Sequence, residues 1–189
     1  MATLIFGLIL FLGIHSISIV AQPLRDRCAA KSEIGWKAFY GLVSFAGLYL
    51  IVTGYAQARL TPTLIYATPY GLRHLSSLLM LPFFILFLAP YFKGKISDYS
   101  KHPQLIAVIL WTVSHLLVNG SLADLLLFGC FFIWAVADLI SMRHRVARPL
   151  PGLKKSPVND LIIVVAGLGI YALFVVTLHK MLIGIAIFN

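Results

Sequence analysis

The stretch KHPQLIAVILWTVSHLLVNGSLADLLLFG, residues 101–129, decides the fold of this chain. It opens on a polar Lys-His-Pro, runs through an apolar segment to Asn119-Gly120, and resumes after Ser121 as a second apolar segment. Proline lacks a backbone N–H, which the first helical position does not need, so Pro103 predicts a helix start. Asn119-Gly120 predicts a stop, and Ser121 with Asp124 three residues later predicts a capping box for the next helix. His102 sits at the polar start, but His115 lies well inside the apolar run. An ionisable side chain at that depth is costly, so it calls for a function.

Outward from this stretch the same alternation of apolar runs and basic loops fills the chain. The sequence has 189 residues, 60% hydrophobic and 11% charged, with a mean hydropathy of +0.95. Soluble domains carry about 25% charged residues, so a soluble globule is excluded. The length suits about six membrane helices of roughly 20 residues each. The sequence therefore predicts an all-α, polytopic integral membrane protein, one domain over residues 1–189. The runs are Ala2–Val20, Phe39–Ala58, Leu75–Phe92, Pro103–Asn119, Ser121–Met142 and Leu161 to about Leu182. Between them lie the loops Ala21–Lys37, Arg59–His74, Lys93–His102 and Arg143–Asp160. Pro82 predicts a kink in the third run, and Ser156-Pro157 reads as N-cap and first position of the last helix. In the second run, Gly41, Ser44, Gly47, Gly54 and Ala58 read as a close-packing face.

Charge gives the orientation. Of fifteen Lys and Arg residues, only Arg59, Arg73 and Lys180 fall outside the loops Ala21–Lys37, Lys93–His102 and Arg143–Asp160. Basic loops stay cytoplasmic, so both termini are expected outside. The first run lacks a basic leader and is followed by Arg25 and Arg27, which predicts a retained helix. The net charge of +9 thus reflects membrane topology and not a nucleic-acid partner. The two cysteines, Cys28 in a basic loop and Cys130 in an apolar run, make no disulfide framework. No CxxC, zinc-type spacing, Gly-rich phosphate loop or nucleophile elbow occurs.

Six histidines are present, and membrane depth sorts them. His15 and His115 lie roughly 10 and 18 Å from the same boundary at 1.5 Å per residue, both within the hydrocarbon core. Phe11, Ser18 and Gln22 flank His15, while Gln104, Trp111, Thr112 and Asn119 lie along the helix of His115. Neutral imidazole is a common haem ligand, and an intramembrane histidine also serves as packing glue between helices. His102 reads as an interfacial start, His74 as an anchor and His144 as part of a solvated basic cluster. His179 lies near a helix end, Asp124 reads as a cap, and Asp138 lies near the cytoplasmic end of the fifth run.

The segments GIHSISIVAQPLR (13–25), GLVSFAGLYLIVTGYAQAR (41–59), RHLSSLLMLPFF (73–84), 101–129 as quoted above, and WAVADLISMRHR (134–145) resemble the NnrU family of bacterial inner-membrane proteins. That family is associated with denitrification and is similar to plant and cyanobacterial zeta-carotene isomerase, a haem b membrane enzyme. Its Arg-His-Pro-Gln, Trp and Ala-His pattern matches Lys101, His102, Pro103, Gln104, Trp111, Ser114 and His115. The resemblance implies haem b with His115 and His15 as the iron ligands. It departs at Thr112, where the isomerase carries a cysteine, because a hydroxyl cannot replace a thiolate.

Several functions are compatible with these features. The leading expectation is a haem b protein with a redox or isomerase role on a lipid-soluble molecule, or a role linked to denitrification. A non-enzymatic accessory or transport protein of the respiratory membrane is the alternative, with membrane lipids or a respiratory complex as partners. The His-Pro pair also resembles membrane methyltransferases that use S-adenosylmethionine, but their paired glutamates are missing and Glu33 stands alone.

Overall fold

The computed structural model describes residues 1–145 and 150–187, and these are helical apart from turns and two isolated bridges. The helices are α1 (Ala2–Val20), α2 (Gln22–Lys31), α3 (Glu33–Ala58), α4 (Leu72–Met80), α5 (Phe83–Leu88), α6 (Lys95–Ser100), α7 (Pro103–Leu116), α8 (Leu122–Ser141), α9 (Pro157–Leu173) and α10 (His179–Ile183). A π-helical turn, Phe174–Leu178, joins the last two. The chain divides into two compact units, residues 1–68 with 119–144 and residues 69–118 with 145–189. Arg148, counted in the last basic loop, lies outside the described residues.

Among the described residues, four helices are long and apolar enough to cross a membrane: Ala2–Val20, Glu33–Ala58, Leu122–Ser141 and Pro157–Ile183. The other two expected runs form shorter apolar helices, Leu72–Leu88 and Pro103–Leu116. The first is broken between α4 and α5 at Leu81-Pro82, since the proline ring and missing N–H interrupt the helical ladder. The second ends three residues before Asn119, where the Val118 N–H turns back to the His115 carbonyl at 3.1 Å.

The first loop corrects the sequence expectation. Ala21–Lys37 is not an open loop: α2 occupies most of it and α3 begins at Glu33, six residues before the apolar run. Pro23 suits the first turn of α2. The Ser32 hydroxyl caps α3 by accepting from Gly35 N–H at 3.0 Å, and Glu33 pairs with Lys37 one turn on at 2.6 Å. Hydropathy marks the part of a helix in contact with lipid, not its solvated first turns. For the same reason the loop Lys93–His102 contains α6, and Arg73 and His74 lie in α4.

In the first unit, α1 packs along α3 and against α8. The seam on α3 is Gly47, Ile51, Gly54 and Ala58, all buried, at one-turn intervals. A Cβ at Gly47 would lie 2.7 Å from the Phe11 nitrogen, and one at Gly54 would meet the Leu4 backbone even more closely. Glycine there lets two backbones approach, as membrane helices require when lipid offers no hydrophobic drive. Gly41, expected on this face, is exposed with open space around it. In the second unit α5 packs on α7 and α9, and α4 on α7. Gly167 of α9 meets the Ile85 backbone and side chain in the same close manner.

Candidate functional site

Each unit places one of the two predicted histidines in an aromatic setting on an apolar helix. In the first, His15 Nδ1 lies 2.6 Å from the Phe11 carbonyl, four residues back on α1. The Phe11 ring stacks on the imidazole at 4.2 Å between centroids. Tyr40 of α3 tilts against it at 5.1 Å, and Trp134 of α8 meets it edge-on at 5.9 Å. Asp138 lies one turn beyond Trp134 on α8.

The second unit repeats the motif on α7. His115 Nδ1 lies 2.8 Å from the Trp111 carbonyl, again four residues back, and the indole tilts against the imidazole at 5.6 Å. Beside it, Ser114 is fully buried and clasps Ser76 of α4 reciprocally. Each hydroxyl reaches the other residue's carbonyl, at 2.7 and 2.9 Å, and the two hydroxyls are 2.8 Å apart. Thr112 is also fully buried, and its hydroxyl donates to the Ile109 carbonyl at 2.9 Å. Position 112 thus carries a hydroxyl engaged with its own helix, not a metal-binding thiol.

The shared feature of His15 and His115 is chemical. A carbonyl can only accept, so the ring nitrogen facing it must be the N–H, and the Nε2 lone pair then points away from the helix backbone. Metal-binding histidines are commonly oriented this way, with the non-ligating nitrogen donating to a carbonyl or carboxylate. In both rings Nε2 is therefore the nitrogen that carries the lone pair.

Among the described residues, the remaining histidines lack this aromatic setting. His74 and His144 are exposed, and His102 begins α7 without capping it through its side chain. His179 Nδ1 bonds the Ile185 carbonyl at 2.7 Å near the end of the last helix. Among the described residues, no group of three or more His, Cys, Asp or Glu is gathered as for a metal ion; a haem iron needs fewer protein ligands. Cys28 and Cys130 are both free thiols.

Sequence reading missed Tyr40 and Trp134 as neighbours of His15. The indole Nε1 of Trp134 is buried with no hydrogen-bond partner among the described residues, and buried tryptophan normally finds one. Trp134 also lines an open-sided apolar groove of about 350 Å³ between α1 and α8, with Leu12, Ser16, Cys130, Ile133 and Ala137. An indole inside an apolar run was the available signal, but its partner helix was not.

Asp124 does more than cap. Its carboxylate accepts from the Ser121 N–H and hydroxyl at 2.9 and 2.6 Å, completing the predicted capping box, and also from the Tyr55 hydroxyl. The segment before α4 is held on the same turn, with Ile65 and Tyr66 N–H donating to the Gly120 carbonyl and Leu122 N–H to the Thr63 carbonyl.

A family model described as NnrU protein matches residues 3–187, nearly the whole chain. No curated protein and no solved structure matches.

Proposed function

The chain belongs to the NnrU family, and from that premise we propose that it is a haem b protein of the bacterial inner membrane, in which His15 and His115 would hold the iron. The observation that carries this reading is the matched presentation of the two rings. Each Nδ1 faces the carbonyl of an aromatic residue four positions back, the tautomer in which Nε2 carries the lone pair that a metal ligand uses. The unpartnered Trp134 Nε1 beside His15 fits a bound group with a polar edge. When bound, haem supplies one-electron redox chemistry tuned by its axial ligands and surroundings.

The chain's own residues set the terms of that chemistry. Phe11 and Trp111 orient the imidazoles through their carbonyls and rings, and Tyr40 and Trp134 pack against His15. Thr112 supplies no thiolate, so an exchange of histidine for thiolate at that position is not part of the reading. The α1–α8 groove suits a lipid-soluble molecule, and the role we propose is redox or isomerising chemistry within the membrane, or a role linked to denitrification. We place six apolar segments across the bilayer with both termini outside, α4–α5 and α7 being the short ones.

Absorbance spectra of the purified protein, with and without added haem, test this reading. A Soret band that is lost in His15→Ala and in His115→Ala is expected. Absence of the band, or its persistence in both variants, overturns it.

A further inference from the structure

Two basic loops of the second unit are folded into one platform. Asp160, in the first turn of α9, accepts from the N–H groups of Lys95 and Ile96 at 2.8 and 3.0 Å, at the start of α6. Asn159, 5% exposed, donates both amide hydrogens, to the Lys93 and Lys154 carbonyls at 2.8 and 2.9 Å. Ser156 N–H donates to the Lys93 carbonyl and Leu153 N–H to the Tyr91 carbonyl. Lys155 and Asp98 form an ion pair across the two loops.

Charge bookkeeping on this platform is one-sided. The unit's two described carboxylates, Asp98 and Asp160, are both engaged within it. Lys93, Lys95, Lys101 and Lys154 have no carboxylate partner among the described residues, and the last three are exposed. Tyr99 is 88% exposed beside them, with Leu150 and Leu153 about half exposed. The platform joins the ends of the apolar helices α5, α7 and α9 directly, so with those helices in the bilayer, as proposed above, it lies at the boundary between hydrocarbon and water. Aromatic and aliphatic side chains interleaved with lysine suit that depth, where the apolar groups meet acyl chains and the ammonium groups meet phosphate.

We propose that this platform is a docking surface for the headgroups of anionic phospholipids. A protein partner would also find the charge attractive, but a surface at this level, with exposed apolar anchors, faces lipid before any soluble acidic chain. The inference rests on the proposed placement of α5, α7 and α9 in the bilayer and is independent of haem. Lysines near an anionic surface each favour it appreciably, and salt weakens the effect.

The test uses the full chain reconstituted in phosphatidylcholine bilayers carrying a trace of spin-labelled phosphatidylglycerol or spin-labelled phosphatidylcholine. The fraction of each label immobilised by the protein gives the preference. The wild-type chain is expected to prefer phosphatidylglycerol by about fivefold or more, the effect of one engaged lysine, and less at high salt. Lys93→Gln/Lys95→Gln/Lys101→Gln/Lys154→Gln should abolish most of the preference. Asn159→Ala, which unpins the platform without changing its charge, should reduce it. Arg25→Gln/Arg27→Gln/Lys31→Gln/Lys37→Gln removes equal charge from the first unit and should retain most of it. No preference in the wild type, or equal losses in the two quadruple variants, overturns the proposal. So does equal immobilisation of both lipids with platform-dependent binding of polyglutamate, which would make the surface a protein-docking face.

Discussion

Tyr55 and Asp124, sixty-nine positions apart, share a 2.5 Å hydrogen bond in which the phenol of α3 donates to the carboxylate that caps α8. The bond ties a helix start to the end of a neighbouring helix, and the carboxylate is 7% exposed. A buried acceptor of this kind is costly to leave unpaired, so its partners should be readable in stability. Tyr55→Phe is expected to lower stability by about 1–3 kcal/mol in thermal unfolding in detergent. Asp124→Ala should cost more, because the capping box is lost as well. The double variant should fall short of the sum.

The glycine seam makes a prediction with its own control. Gly47→Ala and Gly54→Ala force α1 and α3 apart, since a Cβ at either position meets backbone of α1. Each should destabilise by about 1–3 kcal/mol. Gly41→Ala meets nothing within 4 Å and should be neutral or slightly stabilising, because alanine favours helix. The same unfolding measurement separates them.

The serine clasp should be weaker than its geometry suggests. Hydrogen bonds between membrane helices average about 0.6 kcal/mol, because the separated helices find other partners. Ser76→Ala and Ser114→Ala should each cost about that much, and the pair together little more. A loss above about 2 kcal/mol in the double variant would show that the clasp also sets the packing of α4 on α7.

Asp160 should protect the basic loop from proteolysis. In Asp160→Ala the N–H groups of Lys95 and Ile96 lose their acceptor and the start of α6 is released. Tryptic cleavage after Lys93, Lys95 or Lys101 should accelerate by about tenfold, the factor for 1.4 kcal/mol of local opening. Timed digestion of reconstituted protein followed by mass spectrometry reads it out. An unchanged rate would mean that Asn159 and the Lys155–Asp98 pair hold the loops alone.

The sequence by itself determined the elements whose cause is local. Ser121 with Asp124, Ser156 with Pro157, and the break at Pro82 all act within one helical turn, so spacing sufficed to read them. The same holds for the carbonyl four residues before His15 and His115, which any α-helix supplies. Long apolar runs likewise announced the membrane helices, though not their polar first turns at Glu33 and Leu72. Tertiary structure alone decided which glycines are a seam, that Trp134 and Tyr40 surround His15, that Tyr55 finds Asp124, and that Asp160 caps α6. In a membrane every apolar face looks alike in sequence, because lipid satisfies it as well as a neighbouring helix does. Only close packing and buried polar groups with a single available partner choose which faces meet.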